Sequence, residues 1–156
     1  MLVGSYRRTI DDKMRVAIPK PLRDAIGFPT QFELFITPGT DQSLAIYTSE
    51  RLSHLGETLA QKSPASQETR AFTRLFYAQA QVAEIDSQGR LRIPNELAKF
   101  AQLEGEVVLL GVRDHIEIWS IDAWEAFLLR TQPLYDQLAE RAFDSVTARE
   151  KKQDDI

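Results

Sequence analysis

Two stretches of the chain alternate apolar and polar positions in the same way. In IDDKMRVAIP, from Ile10 to Pro19, Val16 and Ile18 flank Ala17; in IDSQGRLRIP, from Ile85 to Pro94, Leu91 and Ile93 flank Arg92. Successive strand side chains point to opposite faces, so each pattern predicts a short, half-buried strand. Pro19 and Pro94 lack the backbone donor that a ladder needs and should end regular pairing. The segments that follow, Leu22 to Ile26 and Leu97 to Ala101, suit one or two helical turns.

The two stretches are copies. They stand 75 positions apart and share the Ile, the Asp, the Arg, the second Ile and the Pro. With the same offset Phe32-Glu33-Leu34-Phe35-Ile36 falls on Val107-Val108-Leu109-Leu110-Gly111. Leu44-Ala45-Ile46-Tyr47 then matches Ile116-Glu117-Ile118-Trp119 with the offset shortened by three. An insertion in the turn from Thr37 to Ser43, against Arg113-Asp114-His115 in the second copy, accounts for the shift. Internal repetition at this scale means one structural unit used twice.

Helical spacing closes each copy. Ser49-Glu50-Arg51-Leu52 leads into Leu55 and Leu59, and Ile121-Asp122-Ala123-Trp124 leads into Phe127 and Leu128. Ser63-Pro64 suits the start of a further helix with Phe72, Leu75 and Phe76 on one face. After Pro133, Leu134, Leu138 and Ala142 outline a last helix; the run from Glu150 to Asp155 has no apolar anchor and should fray. The expected organisation is α+β and mainly β: a first unit over 1–60, a helical linker over 61–79, a second unit over 80–130, and a helix with its tail over 131–156.

Composition narrows the class. The 156 residues, 43% of them hydrophobic, can bury one sizeable core or two small ones. No stretch approaches the roughly 18–20 apolar residues of a membrane span. MLVGSYRRTI has no long apolar core of a signal peptide. The absence of cysteine removes disulfides, thiolate metal sites and thiol nucleophiles. A cytoplasmic protein without membrane contact or cofactor is expected. The net charge of −4 hides an asymmetry: Arg7, Arg8, Lys13, Arg15, Lys20 and Arg23 face only Asp11 and Asp12 between Arg7 and Arg23. Such a segment can attract a polyanion while an acidic remainder keeps the chain soluble.

The repeated Asp-x-x-x-Arg is the candidate chemistry. An Asp at a turn start accepts hydrogen bonds from backbone donors two or three residues on, which casts Asp11 and Asp86 as turn-shaping residues. Gly89 supplies positive φ at little cost. Arg90 then stands at the tip, where its planar fork suits the Asp, a phosphate or a guanine edge. Met14 occupies the glycine column of the first copy, and a left-handed Met costs roughly 1–2 kcal/mol, so that turn is either strained or shaped differently. Catalysis has little support: Asp11-Asp12 point to opposite strand faces, Asp154-Asp155 lie in the tail, and His54 and His115 read as solvated surface. No Ser-His-Asp, HExxH or Gly-rich phosphate loop occurs, so no catalytic or metal site is expected.

From Met1 to Arg23, Asp11-x-Lys13-x-Arg15 followed by Pro19 and Arg23 resembles the start of the MraZ family, and Asp86-x-x-Gly89-Arg90 stands where its second mark falls. Length, linker and closing helices agree, so the resemblance spans essentially the whole chain. It implies two tandem AbrB-like units of swapped-hairpin type, forming one intramolecular pseudo-twofold barrel flanked by helices. It also implies a transcriptional regulator on the nucleoid, assembled as a ring-shaped homo-oligomer. Its DNA targets would be repeated sites upstream of the division and cell-wall gene cluster. Lys13, Arg15 and Arg23 fall in the family's basic pattern, Arg90 is the second motif arginine, and Met14 breaks the usual Lys-Gly-Arg triplet. The expected DNA-binding set is thus Arg7, Arg8, Lys13, Arg15, Arg23 and Arg90. Phe72, Phe76, Trp124 and Phe127 are candidates for subunit contacts or for ordinary packing. A protein-interaction module on the same barrel is the alternative, and it accounts for the acidic remainder.

Overall fold

The prolines of the two copies act as the sequence suggests. In the computed structural model, which describes residues 1–29, 33–62 and 66–155, strand pairing stops at Ala17 and at Arg92, and Pro19 and Pro94 each become the cap of a short helix. The chain divides into two units, Met1–Ile121 and Asp122–Ile156.

In chain order, the first unit runs through β1 (Ser5–Thr9), β2 (Arg15–Ala17), α1 (Lys20–Ile26), β3 (Leu34–Pro38), β4 (Leu44–Thr48), α2 (Ser49–Lys62) and α3 (Gln67–Gln79). Then come β5 (Gln81–Val82), β6 (Glu84–Ile85), β7 (Arg90–Arg92), α4 (Asn95–Phe100), β8 (Glu106–Val112) and β9 (His115–Ser120). Ser66 caps α3, its Oγ accepting from Thr69 N at 3.4 Å; Ser63 and Pro64, the expected start, lie outside the described residues, as does Phe32. α5 (Ile121–Thr131) carries the chain into the second unit, where a 3₁₀ turn (Gln132–Leu134) precedes α6 (Tyr135–Asp154). The charged run is included in α6 through Asp154, with Lys151 and Lys152 in the last turn, where cations suit the helix dipole. No helix among the described residues is long and apolar enough to cross a membrane.

The strands form two antiparallel sheets, ordered β1-β8-β9-β4-β3-β5 and β2-β7-β6. In the larger sheet β8 is the counterpart of β3, β9 of β4 and β5 of β1, so its order reads the same from either end when the copies are exchanged. The first strand of each copy pairs with the hairpin of the other: β1 with β8, β5 with β3. The copies meet on equivalent residues, with Ala45 opposite Glu117 and Val16 opposite Leu91. Flanking bonds repeat the relation, since Ile18 N donates to Gly89 O at 3.0 Å and Ile93 N to Met14 O at 2.8 Å. A local two-fold axis therefore passes between β2 and β7.

Both sheets are open, and the expected closed barrel is not what the hydrogen bonds describe. β1 and β5 end the larger sheet, β2 and β6 the smaller. The motif strands, cut at three residues by the coming prolines, offer too few rungs to continue from one sheet into the other. Both copies nevertheless feed one core. Val16, Leu22, Ile36 and Ile46 join Leu91, Leu97, Leu109, Ile116 and Ile118 in a single buried cluster. Each such side chain contributes about 1.5–3 kcal/mol relative to exposure, so neither copy buries its apolar face alone.

Candidate nucleic-acid interface

The two motif turns are built by the same bonds. Asp11 N donates to Arg15 O at 2.9 Å and Met14 N to Asp11 O at 3.1 Å; Asp86 N to Arg90 O and Gly89 N to Asp86 O follow at 3.0 Å each. Asp11 Oδ1 accepts from Lys13 N at 2.9 Å and Arg15 N at 2.8 Å, and Asp86 Oδ1 from Gln88 N at 2.9 Å and Arg90 N at 3.0 Å. The other carboxylate oxygen takes the arginine: Arg15 Nε to Asp11 Oδ2 and Arg90 Nε to Asp86 Oδ2, both 2.8 Å. The backbone donors of Arg15 and Arg90, with the arginine side chains, hold both carboxyl pKa values below the ordinary 3.8. The arginine fork is thus oriented by its own Asp through Nε, and its two Nη groups find no further partner among the described residues.

Pairing of β2 with β7 gathers these side chains. Val16 and Leu91 turn into the core, so Arg15, Ala17, Arg90 and Arg92 fall on the opposite, outward face. Lys13 is exposed at the tip of the first turn. Arg15, Arg90, Arg92, Glu84, Ile85 and Asp86 line a shallow cavity of about 310 Å³. Arg92 escapes a reading of single motifs, because its importance arises from the pairing: it stands directly opposite Arg15. The signal was present in the alternation Arg90-Leu91-Arg92, which puts both arginines on one side of the strand.

The other expected cations lie elsewhere. Arg7 and Arg8 are consecutive on β1, in the larger sheet, and so point to opposite faces. Arg7 approaches Glu106 at 3.5 Å, while Arg8 lies 6.0 Å from the Tyr6 ring centre and donates to Arg7 O at 2.7 Å. Arg23, on α1, packs across the second turn: a Cβ built on Gly89 would stand 2.5 Å from Arg23 Nη1 and 2.6 Å from its Cδ. Its Nε is buried and meets no acceptor among the described residues.

His115 is not the solvated side chain expected from its place in a hairpin. Only 16% of its side chain is exposed, because Nδ1 meets Asp114 Oδ1 at 2.8 Å and Nε2 meets Glu117 Oε2 at 2.9 Å. The ring stacks on Tyr47 with centres 5.1 Å apart. Burial opposes the imidazolium, yet the bonds to Glu117 and Asp114 outweigh it and raise the pKa above 6.5. His54 is exposed.

The family model for MraZ protein (antitoxin-like) matches residues 1–75 and again residues 76–146, the two copies found above. The transcriptional regulator MraZ of Ligilactobacillus salivarius is 41% identical over 145 residues, 92% of this chain and 98% of its own. Its namesake from Alkaliphilus oremlandii is 39% identical over 142 residues, 90% and 96% of the two chains. That from Moorella thermoacetica is 36% identical over 144 residues, 92% and 98%.

Proposed function

The chain belongs to the MraZ family of transcriptional regulators, and on that premise we propose that it binds double-stranded DNA through the outward face of β2 and β7. The observation that carries this reading is that pairing of β2 with β7 brings the two Asp-oriented arginines, Arg15 and Arg90, onto one outward face that shares no side chains with the core. Arg15 and Arg90 offer Nη groups for phosphates and guanine edges, with Lys13 beside them. Asp11 and Asp86 set the turns and do not touch the DNA. Arg7 or Arg8, on opposite faces of β1, makes a flanking phosphate contact, and Arg23 supports the second turn from behind.

The exchange of first strands between the copies supports reading them as AbrB-like, swapped-hairpin units related by one pseudo-twofold axis, over 1–60 and 80–130, with a helical linker at 61–79. One face carries few cations, so a single copy binds weakly. A ring of copies on repeated sites upstream of the division and cell-wall cluster converts later contacts into intramolecular ones and raises avidity. The protein works on the nucleoid, in the cytoplasm.

The test is binding of the full chain to DNA from upstream of its own gene, against a scrambled duplex, over a salt series. Each phosphate contact adds about 0.9 to the slope of log affinity against log salt. Preferential binding is expected, with Arg15→Ala lowering the slope by about 1 and the affinity about tenfold. Equal binding to both duplexes, or a flat salt response, would overturn the reading in favour of an interaction module.

A further inference from the structure

The β2–β7 pair is symmetric in its backbone but not in its charges. Arg15 faces Arg92 on one side of the local two-fold axis; on the other side the equivalent pair is Arg90 and Ala17. Like charges directly opposite on one sheet face repel, and nothing in the core requires an arginine at 92, whose counterpart Ala17 is exposed and carries no charge. Arg15 is turned toward Asp11 by its Nε bond. Among the described residues Arg92 has only Glu84, on the neighbouring strand β6 and directly opposite it. That contact is 3.9 Å, too long for a hydrogen bond, with 58% and 78% of the two side chains exposed. The carboxylate therefore neutralises the arginine at a distance without occupying its fork.

We propose that Arg92 and Arg15 together form a phosphate-binding subsite on one side of the axis, and that Glu84 stands in for the phosphate while DNA is absent. The proposal rests on the DNA reading above and adds to it one cation and one competing anion outside the Asp-x-x-x-Arg motif. The ligand is a phosphodiester: a single negative charge with two free oxygens can bridge two guanidinium forks that otherwise repel each other. Because Ala17 occupies the matching place, each chain has one such subsite and not two. The face thus holds the DNA backbone more strongly on the Arg92 side.

The experiment is a salt-series titration of the operator duplex with the full-length protein and with Arg92→Ala, Arg92→Lys, Glu84→Gln and the Arg92→Ala/Glu84→Gln pair, each checked for native far-ultraviolet circular dichroism. Arg92→Ala should weaken binding about tenfold and lower the salt slope by about 1. Arg92→Lys should keep the slope, since the charge remains, while losing part of the affinity with the fork. Glu84→Gln should tighten binding about threefold, and this gain should vanish when Arg92 is also absent. If wild type binds with its full salt slope while Arg92→Ala matches it, or Glu84→Gln gains equally without Arg92, the subsite is wrong and the DNA reading stands. If wild type itself shows no salt-dependent preference for the operator, the DNA reading fails and the subsite falls with it.

Discussion

The first and second motif turns carry the same hydrogen bonds on different side chains. Met14 and Gly89 occupy one column and both adopt positive φ, 59° and 79°. The residue packed behind the second turn is Arg23, from the first copy, and its counterpart in the second copy, 75 positions on, is Ala98 beside the first turn. The pairs are therefore exchanged in size: glycine under a long arginine at one turn, methionine beside a small alanine at the other. Met14 and Ala98 line one cavity of about 400 Å³, in the region that the arginine fills at the second turn. The left-handed methionine costs roughly 1–2 kcal/mol in backbone strain. Its packing against the shared core offsets part of that cost. A turn tip can thus drift away from glycine provided the facing helix drifts with it.

The largest effect should come from copying the first turn onto the second. Gly89→Met meets both the positive φ and the Arg23 side chain, and should destabilise by about 3 kcal/mol, strain and overpacking together. Adding Arg23→Ala recreates the Met14–Ala98 pairing and should recover about half of the loss in thermal or urea unfolding. No recovery would mean that backbone strain alone sets the cost, and that the exchange in size is incidental.

The reverse exchange should be milder, because the first turn already borders an open cavity. Ala98→Arg beside Met14 should cost about 1.5 kcal/mol by crowding a buried site. Met14→Gly in the same chain should return about 1 kcal/mol. A double-mutant cycle measures the coupling; strict additivity of the two changes would separate Met14 from Ala98 and dissolve the comparison.

Much of this fold was legible because it is local. Alternation gave the motif strands, the prolines gave their ends, and Leu52-x-x-Leu55-x-x-x-Leu59 gave α2. The repeated Asp and Arg gave both turns, since an Asp that accepts from donors two and four residues on needs no distant partner. What escaped depends on contacts between residues far apart in sequence. Nothing in either motif says that β2 pairs with β7, so the opposition of Arg15 and Arg92 was out of reach, as was the bed of Arg23 above Gly89. His115 was misread for the same reason: Asp114 and Glu117 are near in sequence, but only the stack on Tyr47 shows that the hairpin is covered. The barrel went too far, because three-residue strands cannot supply the ladder that closure needs.

The smallest difference should appear where the two turns are chemically alike. Asp11 and Asp86 both have lowered pKa values, chiefly from the backbone donors of Arg15 and Arg90, which favour the carboxylate in the folded chain. A depressed carboxyl contributes stability that is present above the unfolded value of about 3.8 and is lost as pH falls through the lower folded value. Both turns should therefore weaken together in the most acidic part of an unfolding series, and carbon-detected NMR should find both groups titrating below 3.8. Asp11→Asn and Asp86→Asn should each flatten that acid limb to the same degree, and the double variant should flatten it further. If only Asp86→Asn did so, Met14 would have to distort the first turn enough to loosen the Lys13 and Arg15 donors. The 2.9 and 2.8 Å bonds to Asp11 Oδ1 argue that it does not, since they match the 2.9 and 3.0 Å of the glycine-bearing turn.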